Sequence, residues 1–218
     1  MSKVAVNGET VRLDAAGALY WAAERTLVFA DLHFEKGSSY ARSGQMLPPY
    51  DTRATLARIE ALMLIYAPRR VIALGDSFHD PYAADRLDGV ERETLARLGR
   101  AAEWIWIAGN HDPAPPPWLG GRVAEEVAIG GLVFRHEPSP GRAAGEIAGH
   151  LHPCKSLTRR GRSLRKRCFV SDGSRLLMPA FGAYAGGLDV REEAVRLLFG
   201  EFFLAYLLGA RRVYAIAG

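Results

Sequence analysis

The amino-acid sequence predicts an α/β fold that carries its chemistry at the ends of its strands. Three observations predict it. The runs Thr26–Ala30, Arg69–Leu74 and Trp104–Ala108 are apolar without polar alternation, the pattern of strands covered on both faces. Helical patterns separate them. Each run then ends in residues that packing does not call for: Asp31-Leu32-His33, Gly75-Asp76 and Gly109-Asn110-His111-Asp112. Loops at the carboxyl ends of parallel strands are where such folds keep their ligands.

The elements follow in order. Lys3–Val6, Val11–Leu13 and Ala18–Trp21 are short apolar pieces parted by Asn7-Gly8 and Ala16-Gly17, and read as an entry hairpin or meander. Gly37–Tyr50 is rich in Ser, Gly and Pro and reads as a long loop, a kind of segment that is often functional. Asp51 can cap a helix running to about Tyr66, with Leu56, Ile59, Ala61, Leu62, Met63 and Ile65 on or near one face. Asp88–Ala102 reads as a second helix. Trp104 and Trp106 are expected on opposite faces of the following strand, as packing. Pro113–Pro117 stops regular structure. Val123–Ile129 and Leu132–Phe134 read as strands about a Gly130-Gly131 turn, the second ending near His136. Ser156–Thr158, Cys168–Val170, Arg175–Met178 and Val213–Ile216 are strand-like. Pro179–Leu188 is a Gly- and Ala-rich loop whose Phe181 and Tyr184 could stack on an unpaired base, with closure over a core the favoured reading. Glu192–Leu208 reads as a helix or a strand pair. No linker divides the chain, so a single domain over residues 1–218 is expected.

Composition bounds the function classes. Hydrophobic residues make up 49% and charged residues 24%, ordinary for a soluble globular protein. A net charge of +4 leans mildly toward an anionic partner. Met1 to Asp14 lacks the apolar centre of a signal peptide, and the apolar stretch Ala194–Ala210 carries Arg196 and Glu201, so a cytoplasmic protein without membrane contact is expected. Cys154 and Cys168 read as free, packed thiols.

There are six histidines, His33, His79, His111, His136, His150 and His152, and each lies just after a strand-like run. Such placement argues for shared work rather than scatter. Asp31 and His33 are two apart, and in extended backbone residues i and i+2 project to one side, so both can reach one ion; His150 and His152 repeat the spacing. Asp76 adds a carboxylate and Asn110 a carbonyl oxygen. Imidazole with carboxylate suits manganese, iron, zinc or cobalt rather than calcium. So many donors exceed one catalytic ion and match two ions with a shared bridge, an arrangement that clamps a phosphoryl centre.

The ordered set Asp31-Leu32-His33, Gly75-Asp76, Gly109-Asn110-His111-Asp112, His136 and Gly149-His150-Leu151-His152 resembles the calcineurin-like metallophosphoesterase superfamily, over residues 31–152. The resemblance implies a four-layer αββα sandwich with a di-metal site at the carboxyl ends of the strands. It implies Asp31, His33 and His152 on one ion, Asn110, His136 and His150 on the other, and Asp76 between them. His111 would face the substrate. A narrower likeness covers nearly the whole chain. Asp31–Lys36, His136-Glu137-Pro138, His152-Pro153 and above all Met178–Asp189 are similar to the ligase-associated DNA damage response endonucleases. That likeness implies DNA as substrate and functional association with an ATP-dependent DNA ligase, a helicase and an exonuclease. Glu35 departs from it, since a small residue such as Gly is expected there.

The implied chemistry is phosphodiester hydrolysis. Two divalent ions, manganese first with iron or zinc as alternatives, would activate a shared hydroxide and neutralise phosphate oxygens. His111 would donate to a phosphate oxygen or to the leaving alkoxide. Asp112 would either orient a ring nitrogen or serve as a turn carboxylate. Gly75-Asp76-Ser77-Phe78-His79 resembles a segment of double-strand-break repair nucleases, which makes His79 a phosphate contact or else a loop-fixing residue. The basic run Lys155, Arg159, Arg160, Arg162, Arg165, Lys166 and Arg167 follows the last motif directly; Arg159, Arg160 and Arg162 are expected to track the DNA backbone. The leading expectation is a metal-dependent DNA endonuclease of bacterial repair. The competing ones are a phosphodiesterase on small nucleotide or lipid-linked substrates and a non-catalytic nucleic-acid-binding subunit of a repair complex.

Overall fold

In a computed structural model, residues 2–159, 161–200 and 202–218 are described. Two sheets face each other. The first has seven strands in sequence order: β1 (Ser2–Val6), β2 (Glu9–Leu13), β3 (Leu19–Trp21), β4 (Thr26–Ala30), β5 (Arg70–Leu74), β6 (Glu103–Ile107) and β7 (Arg122–Ala124). β1 to β4 pair antiparallel, and β4 to β7 run parallel. The second sheet contains β8 (Glu126–Ile129), β9 (Leu132–Arg135), β10 (Glu146–Ala148), β12 (Arg162–Ser171), β13 (Leu176–Leu177), β14 (Leu204–Leu208) and β15 (Val213–Ala217), in the spatial order β15-β14-β12-β13-β10-β9-β8. β11 (Cys154–Arg159) makes a long hairpin with β12.

Period-two alternation explains the layering. In β4, β5 and β6, Leu27, Phe29, Val71, Ala73, Trp104 and Trp106 face α2 (Asp51–Tyr66) and α4 (Gly89–Ala101). Their alternates, Val28, Ala30, Ile72, Leu74, Ile105 and Ile107, face Phe134, Ile147, Phe169 and Leu176 of the second sheet. The outer face of that sheet, with Cys168, Val170, Ala205 and Leu207, packs on α5 (Glu193–Phe199). Three apolar layers between four layers of structure give the αββα sandwich.

Several expectations need correction. Trp104 and Trp106 lie on the same face, stacked at 4.6 Å, because residues two apart in a strand share a side. The Ser- and Gly-rich segment after Lys36 is not all loop: α1 spans Lys36–Arg42. Asp51 opens α2 but does not cap it; its carboxylate accepts from the Gly37 N–H at 3.0 Å and ties α1 to α2. Asp88 does cap α4, in a reciprocal pair with Glu91. The expected strand Val123–Ile129 breaks at Glu125 into β7 and β8, which belong to different sheets. The ambiguous Glu192–Leu208 contains both a helix, α5, and a strand, β14. Short α3 (Ala83–Arg86) has no apolar period to announce it. Both cysteines are free and buried, and burial pushes the Cys168 thiol up to about 12. Phe181 is fully buried against Phe29, while the Tyr184 hydroxyl donates to the Pro48 carbonyl at 2.7 Å and joins two loops. No described helix is long and apolar enough to cross a membrane.

Candidate metal centre

The paired register of β4, β5 and β6 brings Ala30, Leu74 and Ile107 level. Asp31, Asp76 and Asn110 follow these three strand ends. Across the sandwich, β9 and β10 are also parallel neighbours, and His136 and His150 follow them. All the expected donors thereby reach one rim of the two sheets.

They gather as two groups. Donor atoms of Asp31, His33 and His152 lie within 4.8 Å of one another, and so do those of Asp76, His136 and His150. His33 Nε2 approaches His152 Nε2 at 3.3 Å, and His150 Nδ1 approaches His136 Nε2 at 3.1 Å. Asn110 Oδ1 joins the second group, 2.9 Å from His136 Nε2. The Asp76 carboxylate spans the groups, with Oδ2 3.9 Å from His33 Nε2 and Oδ1 3.5 Å from His136 Nε2. The extended-backbone argument for Asp31 with His33 and His150 with His152 fails. All four residues have left-handed φ, at 52°, 45°, 68° and 46°, and His150 and His152 belong to different groups.

Asp76 is left-handed as well, at 46°. Strain of this kind costs non-glycine residues of order 1–3 kcal/mol each and persists only where surroundings over-determine it. Here backbone bonds do so: His33 N–H to Asp76 O at 2.9 Å, Gly182 N–H to Asp31 O at 3.1 Å, Gly149 N–H to His136 O at 3.0 Å and Leu188 N–H to Leu151 O at 3.2 Å. The Gly-rich loop is part of this frame. A β-carbon on Gly187 would lie 1.9 Å from the His152 carbonyl oxygen, and one on Gly182 2.3 Å from that of Leu32.

The motif glycines have the same cause. A β-carbon on Gly75 would fall 2.4 Å from the His136 ring, one on Gly109 2.2 Å from the Asp76 nitrogen, and one on Gly149 2.7 Å from Asp31 Oδ2. Each glycine leaves space for a donor that comes from another strand.

The donor chemistry fits divalent transition ions. Burial, with His152 and Lys36 adding to it, pushes the His33 imidazole down to about 2, and burial likewise lowers His150. Deprotonated imidazoles directing lone pairs at one another, beside two buried carboxylates, have a cation between them as their natural partner. The His136 tautomer is set for this role: Nδ1–H donates to the Leu74 carbonyl at 2.9 Å and leaves Nε2 to face the group.

His111 is arranged differently. Its backbone N–H donates to Asp76 Oδ1 at 3.0 Å, and its Nδ1–H donates to the His79 carbonyl at 2.8 Å. Nε2 is left facing the centre, 3.9 Å from Asp76 Oδ2, on a side chain 39% exposed. Asp112 does not hold that ring. It is buried with the Phe78 N–H donating to Oδ2 at 2.9 Å, and burial raises its carboxyl to about 7, so it braces the turn after Asp76. The His79 ring stacks between Tyr40 and His111, with centroids 5.8 and 5.1 Å away. Burial and Lys36 lower it to about 4.

Glu35 explains its own departure. Its φ is 64°, the left-handed region where a glycine costs nothing. The carboxylate is buried, accepting from Thr52 Oγ1 at 2.8 Å and Ser38 Oγ at 2.6 Å, which fastens α1 to α2. Sequence reasoning missed Lys36, Tyr40 and Arg86, which surround His79; α1 and α3 bring them there. The basic run divides. Arg167 donates to the carbonyls of Ala180 and Gly182 at 2.8 and 3.0 Å, Arg165 bonds the Gly187 carbonyl, and Lys155 bonds that of Ala217 at 2.7 Å. These hold loops. Arg160 and the side chains of Arg159 and Arg162 lie outside the described residues.

The family profile and one full-length structural match agree with this geometry. The sequence profile described as calcineurin-like phosphoesterase matches residues 24–169. The chain is similar to Pseudomonas putida nuclease MPE, with 32% identity, a TM-score of 0.79, and 99% of each chain covered. A second structure, the phosphoesterase Yfce from E. coli, aligns at 13% identity and a TM-score of 0.46, over 88% of this chain and 98% of that one. No curated protein matches the chain.

Proposed function

The chain belongs to the calcineurin-like phosphoesterase family, and we propose that this phosphoesterase is a DNA endonuclease of bacterial repair acting in the cytoplasm as one domain over residues 1–218. The observation that carries the reading is the pair of donor groups joined by Asp76, in a chain alignable over its full length with a nuclease. Asp31, His33 and His152 would hold one divalent ion, and Asn110, His136 and His150 the other, with Asp76 between. Manganese is the first choice among the metals this donor set suits, before iron and zinc. Ions held there supply Lewis acidity toward phosphoryl oxygens and lower the pKa of water toward neutrality.

The protein's own groups do the rest. The His79 carbonyl fixes His111 with Nε2 toward the centre, where the doubly protonated ring donates from Nε2 to a phosphate oxygen or passes that proton to the leaving alkoxide and stays neutral with its Nδ1–H. The His79 ring, neutral and held in a stack, offers one N–H to the substrate. Asp112 holds the amides after Asp76 and acts only through that turn. Arg159, Arg160 and Arg162 draw the DNA backbone toward the rim. The narrow sequence likeness supports action alongside an ATP-dependent ligase, a helicase and an exonuclease.

The test is a panel of single-stranded DNA, duplex DNA and bis-p-nitrophenyl phosphate, each with manganese and with a chelator. Metal-dependent internal cuts in DNA are expected. Hydrolysis of the small diester with no DNA cleavage would overturn the DNA reading, and no turnover despite bound metal would overturn the catalytic one.

A further inference from the structure

Lys36 is a half-buried cation beside the proposed centre. Its Nζ lies 5.9 Å from the Tyr40 ring centroid, and that ring stacks on His79, itself 5.3 Å from His33 and 5.1 Å from His111. Among the described residues it has no hydrogen bond or ion pair. Its backbone is pinned on both sides. The Glu35 N–H donates to Thr52 Oγ1 at 2.8 Å, the Gly37 N–H donates to Asp51 Oδ2 at 3.0 Å, and Arg86 reaches the Glu35 carbonyl at 3.3 Å. Burial lowers its pKa, opposed by the charges of Asp51 and Asp76. With the backbone held, only the side chain remains to be ordered when an anion arrives.

Near Asn110 and His136 the rim carries the other sign. A cavity of about 490 Å³ beside Asn110 and His136 is lined by Glu125, Glu126 and Glu137. Glu126 is paired with Arg135, while Glu125 and Glu137 are exposed. A polyanion crossing the centre meets attraction at Lys36 and repulsion at these glutamates.

We propose that Lys36 binds a non-bridging oxygen of the phosphate that flanks the scissile one on the His79 side, which selects oligonucleotides over substrates with a single phosphodiester. This rests on the DNA-cleaving reading above. A lone diester fills the centre and leaves Lys36 without a partner, whereas a strand supplies the second phosphate.

The test compares kcat/KM of wild type, Lys36→Met and Lys36→Arg on a short single-stranded oligonucleotide and on bis-p-nitrophenyl phosphate, with manganese content and Tm measured on each protein. The loss in Lys36→Met is expected to be about tenfold or more greater on the oligonucleotide than on the small diester, with partial recovery in Lys36→Arg. The salt slope of oligonucleotide binding should fall by about 0.7, the value of one contact on a single strand. Equal losses on both substrates would place Lys36 at the scissile phosphate or in the frame and overturn the assignment. So would an oligonucleotide rate in Lys36→Met equal to that of a wild type that cuts DNA. A wild type that does not cut the oligonucleotide at all overturns the DNA reading itself, and this inference with it.

Discussion

The His111 imidazole lies over that of His79, with ring centroids 5.1 Å apart and planes 20° apart, and its Nδ1–H donates to the carbonyl of the same residue at 2.8 Å. The neighbour before it, Asn110, turns its oxygen to His136 instead, at 2.9 Å. Residues adjacent in sequence should therefore fail differently. His111→Ala is expected to lose about 10²–10⁴ in turnover with manganese content kept. Asn110→Ala should lose manganese from the second group. Metal analysis on the two purified variants decides it; depletion in His111→Ala as deep as in His150→Ala would remove the proposed proton-donor role.

His79→Ala takes away a ring from the stack but leaves the carbonyl that holds His111. A loss in DNA cleavage is expected without loss of metal. Unchanged DNA cleavage would reduce His79 to a loop-fixing residue.

Asp76 faces both groups, and His152 only one. Wild type is expected to bind two manganese ions, His152→Ala to keep the second site, and Asp76→Ala to weaken both. Because the metal binds only the assembled site, saturating manganese should raise Tm, by an amount equivalent to about 2.7 kcal/mol at a hundredfold excess over Kd. A Tm that ignores manganese in wild type would contradict the metal-centre assignment.

Gly75 and Gly8 separate crowding from conformation. Both have positive φ, at 69° and 83°, but a β-carbon at Gly8 meets nothing within 4 Å and one at Gly75 meets the His136 ring at 2.4 Å. Gly8→Ala should cost roughly 1–2 kcal/mol of backbone strain. Gly75→Ala should cost more, by about 1–3 kcal/mol of overpacking, and should displace His136 and its metal. Equal unfolding free energies for the two variants would show that the ring yields freely.

At Glu35, substitution by Gly and by Ala removes the same bonds to Thr52 and Ser38, but only Gly relieves the left-handed φ. Denaturant melts should find Glu35→Ala the less stable of the two by about 1 kcal/mol.

Neutralising Arg159, Arg160 and Arg162 together should flatten the salt dependence of single-strand binding by up to about 2 in logarithmic slope, at about 0.7 per contact. Arg167→Ala should instead destabilise the loop whose carbonyls it holds. A slope unchanged by the triple variant would leave the hairpin without a DNA role.

The α/β class, the strands β4, β5 and β6, and the donor residues at their ends are legible in the amino-acid order alone. Those features are local: strand faces follow a period of two, and each apolar run stops where polar donor residues begin. The pairing of donors was beyond local reasoning. His150 and His152 looked like one unit from their spacing, yet they separate because left-handed backbone at both turns them toward different partners. In the same way, the division of Arg122–Ile129 between two sheets, the work of Asp112 on the turn before it, and the capture of Arg167 by loop carbonyls depend on contacts between residues distant in sequence. These follow from the packed fold, because a side chain's partner depends on which strands lie side by side and not on its neighbours along the chain.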